Sequence, residues 1–342
     1  MPLLEVKNLR ACFRTRKGIV RAVNDVSFTL EEGKTLALVG ESGSGKSVSA
    51  MSILRLLDEN GYIESGEILF DDGEKKELAR LPLEKMYSIR GNRISVIFQE
   101  PMTALNPVFS VERQLREPFV IHKRLSKKQA AEEARKMLAA VRIPNPKQVL
   151  KQYPHQLSGG MRQRVMIAMA LACEPRILIA DEPTTALDVT IQAQILQLMR
   201  DLQREKGTAI LFITHDLGVV AEMADDVAVM YCGQVVELVP APIIFQNSAF
   251  SHPYTEGLLS SVPSGKTAGE RLPTIPGNVP HPLRLPKGCK FAPRCPYCTQ
   301  KCIEEEPTLF EKGDAHLIRC FYPKKEERKS EQHARITVRY PS

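Results

Sequence analysis

The sequence predicts an α/β chain: a mostly parallel core sheet flanked by helices, followed by a small, loop-rich extension. Two observations carry this. Through the first 240 residues or so, short apolar runs of strand length alternate with segments whose apolar residues recur at helical spacing. Beyond Pro240 that rhythm breaks. Eleven prolines fall between Pro240 and Pro296, a density that interrupts helices and central strands. The boundary between the two regions falls near residue 245.

Lys34–Val39 reads as a short buried strand, and Met51, Ile53, Leu54 and Leu57 fit a helix after it. Residues 100–175, roughly, form an inserted helical region, with Ser126–Val141 as a surface helix and the apolar run Val165–Cys173 as a buried one. Ile177–Ala180 is a second buried strand. Thr190–Lys206 then sets Ile191, Ile195, Leu198, Met199 and Leu202 on one helical face, and Gly207 stands where a C-cap belongs. Ala209–Thr214 is strand-like again. The extension, 246–323, is too poor in periodic apolar residues for a large core of its own. Residues 324–342 are expected to form a charged, mobile tail.

Composition sets the outer limits. With 43% hydrophobic and 25% charged residues over 342 positions, the usage is globular; collagen, a disordered tail protein and a small disulfide scaffold are excluded. The longest apolar runs reach about half of the ~20 residues that a membrane-spanning helix needs, so no crossing of a bilayer is expected. The start, Met1 to Lys7, has no basic region followed by an apolar one, which predicts a cytoplasmic location. A formal net charge of +7 permits contact with nucleic acid or anionic lipid without requiring it. Trp is absent and aromatics are 6%, so no base-stacking platform is indicated.

The strongest motif is Gly40-Glu-Ser-Gly-Ser-Gly-Lys-Ser47. It matches G-x-x-x-x-G-K-[ST] between a predicted strand and a predicted helix, the context that a P-loop requires. The glycines let backbone N–H groups wrap phosphates, the helix N-terminus adds partial positive charge, Lys46 can reach the β- and γ-phosphates, and the Ser47 hydroxyl suits Mg²⁺. A second motif ends the strand Ile177–Ala180 with Asp181-Glu182. Beside a P-loop, Asp181 suits the surroundings of the Mg²⁺ and Glu182 suits general-base work on the attacking water.

The third motif, Leu157-Ser-Gly-Gly-Met-Arg-Gln-Arg164, alone reads as a serine N-cap and glycine turn before a buried helix. With the other two it resembles the signature of the ATP-binding-cassette (ABC) family. That resemblance implies a P-loop NTPase cassette over residues 1–245, with a RecA-like core plus antiparallel β and helical subdomains. It implies two cassettes facing each other head to tail, so that Ser158, Gly159, Gly160 and Gln163 of one meet the γ-phosphate held by the other. It further implies that Gln99 is the Q-loop residue touching Mg²⁺ and the lytic water, Asp188 the D-loop residue, and His215 the switch histidine contacting the γ-phosphate. Phe13 matches the aromatic that stacks on adenine. The ATP site so implied comprises Phe13, Gly40, Ser42, Gly43, Ser44, Gly45, Lys46, Ser47 and Val48. Mg²⁺ is assigned to Ser47, Gln99 and Asp181, and catalysis to Glu182, His215 and Gln99. With no catalytic motif degenerate, ATP hydrolysis is expected.

The extension narrows the resemblance. Ser251-His-Pro-Tyr-Thr255, the proline-rich link, Tyr153-Pro-His-Gln156 and Asp181–Gln194 are similar to the D-type ATPase subunit of dipeptide/oligopeptide importers, and nickel and glutathione importers share much of this. Of eight cysteines, Cys12, Cys173 and Cys232 are scattered, whereas Cys289, Cys295, Cys298, Cys302 and Cys320 lie within 32 residues. In a reducing compartment such a cluster points to a metal rather than to disulfides. Four thiolates suit tetrahedral Zn²⁺ or a [4Fe–4S] cluster equally. The family pattern implies [4Fe–4S] on Cys289, Cys295, Cys302 and Cys320, with Cys298 an additional thiol that could substitute. His122, His155, His281, His316 and His333 lack ligand spacing and read as surface or loop residues.

The resemblance implies a second ATPase subunit, two membrane permeases and, indirectly, an extracytoplasmic solute-binding protein as partners, at the cytoplasmic face of the membrane. A soluble ABC ATPase acting on nucleic acid or ribosomes is the alternative, disfavoured because the chain has one cassette and no long coiled-coil insertion. A metal or redox sensor with a vestigial ATPase conflicts with the complete motif set.

Overall fold

The computed structural model describes residues 2–100, 104–185, 187–246, 250–262, 273–313 and 315–324. The Leu202 side chain, Pro263, His333 and the expected tail from 325 onward lie outside the described residues.

The elements run β1 (Leu4–Thr15), β2 (Gly18–Leu30), β3 (Thr35–Val39), α1 (Lys46–Ile53), β4 (Gly61–Asp71), β5 (Lys75–Glu77), α2 (Leu83–Ile89), β6 (Ile94–Ile97), α3 (Val111–His122), α4 (Lys127–Ala140), α5 (Pro146–Val149), α6 (Gly159–Leu171), β7 (Ile177–Asp181), α7 (Val189–Lys206) and β8 (Ala209–Thr214). They continue with α8 (Leu217–Met223), β9 (Asp226–Tyr231), β10 (Gln234–Pro240), α9 (Ala241–Phe245), α10 (Pro253–Ser260), α11 (Gln300–Glu304), β11 (Phe310–Glu311) and β12 (Leu317–Ile318). The chain forms two compact units.

The first unit holds Phe70–Ile213 with two short N-terminal segments. Its sheet is parallel: β6 pairs with β7 and β7 with β8, in register from Ile177↔Ala209 to Asp181↔Ile213. Every residue of β7 is buried, as a strand covered on both faces must be. The helical region contains α3 packed on α4 and α6, with Phe119, Ala130 and Ala172 at its centre. Ser126 begins α4 through a capping box with Gln129. Gly207 closes α7 in the left-handed conformation, φ 66°.

The second unit joins Leu4–Thr29 and Leu36–Leu69 to the described residues after Ile213. One sheet has the order β2-β1-β4. In the other, β3 pairs parallel with β9, and β10, β12 and β11 follow antiparallel. The extension therefore adds strands to the sheet that carries β3. Its Tyr254 and Phe291 pack into one core with Val39, Val229 and Tyr231. A poor apolar pattern does not leave the extension coreless: it borrows the core of the sheet it joins.

His316 is a correction to the sequence reading. It is buried, and its Nε2 lies 2.7 Å from Oε1 of Glu237, itself 1% exposed. The other Glu237 oxygen accepts the His252 N–H at 2.8 Å. A buried carboxylate needs such partners, and nothing in the spacing of His316 announces one on β10.

Candidate functional site

The P-loop leaves β3 at Gly40. Gly40 and Gly45 have φ of 151° and 98°, and a Cβ on either would collide with the carbonyl oxygen of Met230 or Ala22. Glycine is needed because neighbouring backbone comes this close. The Gly233 N–H donates to Ser44 O at 2.9 Å, and Gly233 O accepts from Asn24 at 2.7 Å, which ties the loop to the β9–β10 turn. Lys46 is buried at the start of α1 and folds back over the loop. Its Nζ donates to Gly40 O at 2.7 Å, Glu41 O at 3.0 Å and Ser44 Oγ at 3.4 Å. Ser42 and Gly43 are exposed, and Ser47 and Val48 half-buried. Phe13, half-buried on β1, lies so close to Gly61 that a Cβ there would come within 2.8 Å of its ring and force a shift.

The first unit assembles the carboxylates at the end of β7. Asp181 is buried as the last strand residue. Glu182 turns out of the sheet with φ 45°, its N–H held by Ile213 O at 3.0 Å. Its Oε2 accepts from Gln99 Nε2 at 3.0 Å and from Thr185 Oγ1 at 2.9 Å. Gln99 and Glu182, 83 residues apart, thus meet. Thr185 was not foreseen, although it stands in the Asp-Glu-Pro-Thr-Thr run.

Ser158 caps α6, its hydroxyl accepting from the Met161 N–H at 3.3 Å. Ser158 and Gly159 are exposed and Gly160 half-buried. Gln163 faces inward, with its amide donating to Pro183 O, so it tethers the turn after Glu182. Asp188 is exposed and caps α7 through the Ile191 N–H at 2.9 Å. His215 is exposed directly after β8; the next residue, Asp216, caps α8. Gln114, buried on α3, accepts from Asn106 N and donates to Asn106 O and Phe109 O at 2.8–3.0 Å. It pins the loop beyond Gln99, and no local signal marks it.

The cysteines give a more complex picture. Cys289, Cys295, Cys302 and Cys320 line one small pocket with Phe291 and Tyr297. Yet among the described residues no group of three or more His, Cys, Asp or Glu is arranged to hold a metal ion. The expected four-thiolate set is therefore not assembled as ligands in this arrangement. Cys298 Sγ instead donates to Thr299 O at 3.6 Å, and Thr299 Oγ1 lies 3.4 Å from Cys302 Sγ. Burial pushes the Cys289 thiol up to about 11 and that of Cys295 up as well, which favours the protonated forms.

Comparison with known proteins covers most of the chain. Residues 23–185 match the family described as ABC transporter, and residues 236–302 match the oligopeptide/dipeptide transporter C-terminal region. The chain is 51% identical over 320 residues to the oligopeptide transport ATP-binding protein AppD of Bacillus subtilis, covering 93% of this chain and 96% of that one. It is 52% identical over 313 residues to OppD of Haemophilus influenzae, covering 91% and 95%, and 51% identical over 324 residues to OppD of Escherichia coli, covering 95% and 94%. Among solved structures it resembles a dimeric ATP-binding cassette in a post-hydrolysis state bound to ADP and phosphate, at TM-score 0.62 and 28% identity over 70% of this chain and 98% of that one. No described helix is long and apolar enough to cross a membrane. The chain belongs to the ABC transporter ATPases, in the branch that carries the oligopeptide/dipeptide transporter C-terminal region.

Proposed function

We propose that this chain is the ATP-hydrolysing subunit of an importer for di- and oligopeptides, seated peripherally at the cytoplasmic face of the membrane. The observation that carries this is identity of about half over more than nine-tenths of the chain to oligopeptide transport ATP-binding proteins. As an ABC ATPase it converts ATP and water to ADP and phosphate. Its partners on this reading are a second ATPase subunit, two membrane permeases and a solute-binding protein.

Phe13 stacks on adenine, and Gly40 with Ser42–Val48 cradles the phosphates. Ser47, Gln99 and Asp181 offer the hydroxyl, amide and carboxylate oxygens that suit Mg²⁺, which supplies charge neutralisation at the phosphates. Glu182 takes the proton of the attacking water, held in place by Gln99 and Thr185, while His215 contacts the γ-phosphate. Ser158, Gly159 and Gly160 serve the partner's nucleotide, with Gln163 supporting from the same helix and Asp188 at the interface. Closure of the cassettes on ATP and reopening after hydrolysis drive the permeases.

Glu182→Gln tests the chemistry. ATP binding is expected to persist while turnover falls about 10²–10⁴-fold, the range for a lost general base; near-normal hydrolysis would remove Glu182 from that role. Uptake by the reconstituted transporter tests the cargo. Peptide should stimulate hydrolysis, and stimulation by nickel or glutathione instead would overturn the peptide reading.

The [4Fe–4S] reading of Cys289, Cys295, Cys302 and Cys320, with Cys298 as substitute and Zn²⁺ as alternative, is supported by their common pocket and by the family resemblance. It requires the thiols to rearrange, since no such group among the described residues is arranged to hold a metal ion. Four irons and four sulfides per anaerobically purified chain are expected; no metal would remove the reading.

A further inference from the structure

Glu41, the second residue of the P-loop, is held at every polar group it has. Its carbonyl accepts from Lys46 Nζ at 3.0 Å. Its N–H donates to Tyr254 Oη at 2.8 Å. Its carboxylate takes two parallel bonds from Arg294, Nη1 to Oε2 at 2.6 Å and Nη2 to Oε1 at 3.0 Å. The last two partners lie 213 and 253 residues away, on the extension. Neither is a casual surface contact. The Arg294 side chain is 3% exposed and uses all five of its N–H donors: besides Glu41 they reach Pro276 O at 3.0 Å, Ile275 O at 3.3 Å and Tyr231 Oη at 3.4 Å. Such a fork is rigid and bidentate. Tyr254 is fully buried against Tyr231 and Phe291, with ring centroids 4.6 and 5.5 Å away.

The chemistry of the loop gives this clamp a purpose. A carboxylate in a loop that binds a triphosphate repels its ligand, unless a cation neutralises it. We propose that Arg294 and Tyr254 are positioning residues for ATP: by holding the Glu41 carboxylate and N–H from the C-terminal extension, they neutralise and orient the P-loop and so set its affinity for the nucleotide. The proposal rests on the reading of Gly40–Ser47 as the ATP site. It goes beyond that reading by giving the extension a direct hand in nucleotide binding.

The test is equilibrium binding of Mg-ATP to the full-length chain, with folding monitored by circular dichroism. Arg294→Met, which keeps the stem and removes the charge, is expected to weaken ATP binding about tenfold, the scale of two like unit charges about 12 Å apart at an effective dielectric of about 20. The loss should shrink as salt rises. Glu41→Gln added to Arg294→Met is expected to restore affinity to within about threefold of the parent, because the repelling charge is gone. A purely structural role for Arg294 would leave the double variant as weak as the single, and that result overturns the proposal. Tyr254→Phe removes only the acceptor for the Glu41 N–H and should cost about threefold. If Arg294→Met does not fold, Tyr254→Phe decides, and unchanged affinity refutes the clamp. Lys46→Ala separates the two levels. Should it bind ATP like the parent, the P-loop reading itself fails; should it lose ATP while Arg294→Met and Tyr254→Phe do not, only the clamp fails.

Discussion

Glu182 combines a left-handed backbone with three fixed partners. A non-glycine residue at φ 45° costs on the order of 1–3 kcal/mol, and the hydrogen bonds from Gln99 and Thr185 and to Ile213 hold it there. Thr185→Val is expected to lower turnover severalfold while leaving ATP affinity unchanged, because it frees the carboxylate without touching the P-loop; paired kcat and Kd measurements check this. Gly45→Ala should act in the opposite place. Its Cβ would meet the Ala22 carbonyl at a φ that only glycine tolerates well, so ATP binding should fall steeply, with about 1–3 kcal/mol lost in chemical denaturation. The identities of Glu182 and Gly45 are legible in the sequence, because a strand end and a Gly-rich turn are local patterns. The strain at Glu182 and its support from Thr185 are not, because they depend on where the turn points its atoms.

Helix α7 shows what an element reveals from its sequence. Its span was read from Thr190 to Lys206 and is Val189–Lys206, since a long apolar stripe and a terminal glycine fix both ends. Its cap was less plain. Asp188 both caps α7 and belongs to the proposed cassette interface. Asp188→Ala should therefore cost about 1 kcal/mol in urea unfolding, whereas Asp188→Asn keeps the cap and should cost a few tenths. An interface defect common to both variants, read as lost ATP-dependent dimerisation, then reports the carboxylate alone. Helix α3 carries Pro118 inside it, where proline disfavours helix. Burial of Val111, Leu115 and Phe119 on one face outweighs that local penalty.

At the scale of the molecule, the extension is the part least legible in advance. Its prolines and scattered apolar residues predict a loop-rich extension without a large core of its own. In the structure, Phe291 stacks edge-on against Tyr231 at 5.2 Å and contacts Tyr254 at 5.5 Å, in a core shared with β3 and β9. Such contacts join residues tens of positions apart and leave no periodic trace. Phe291→Ala should cost about 3–5 kcal/mol, seen as a large drop in thermal midpoint, without any change in metal content being required. The bond from Arg294 to Glu41 has a further consequence in time. Ribosomes add about 5–20 residues per second, so the 253 positions between the two take on the order of tens of seconds to make. Throughout that interval the nascent P-loop exists without its counter-charge, and on the proposal above it acquires full affinity for ATP only once Arg294 has emerged. A cassette built this way grips ATP less tightly until the residue that balances its P-loop has been made.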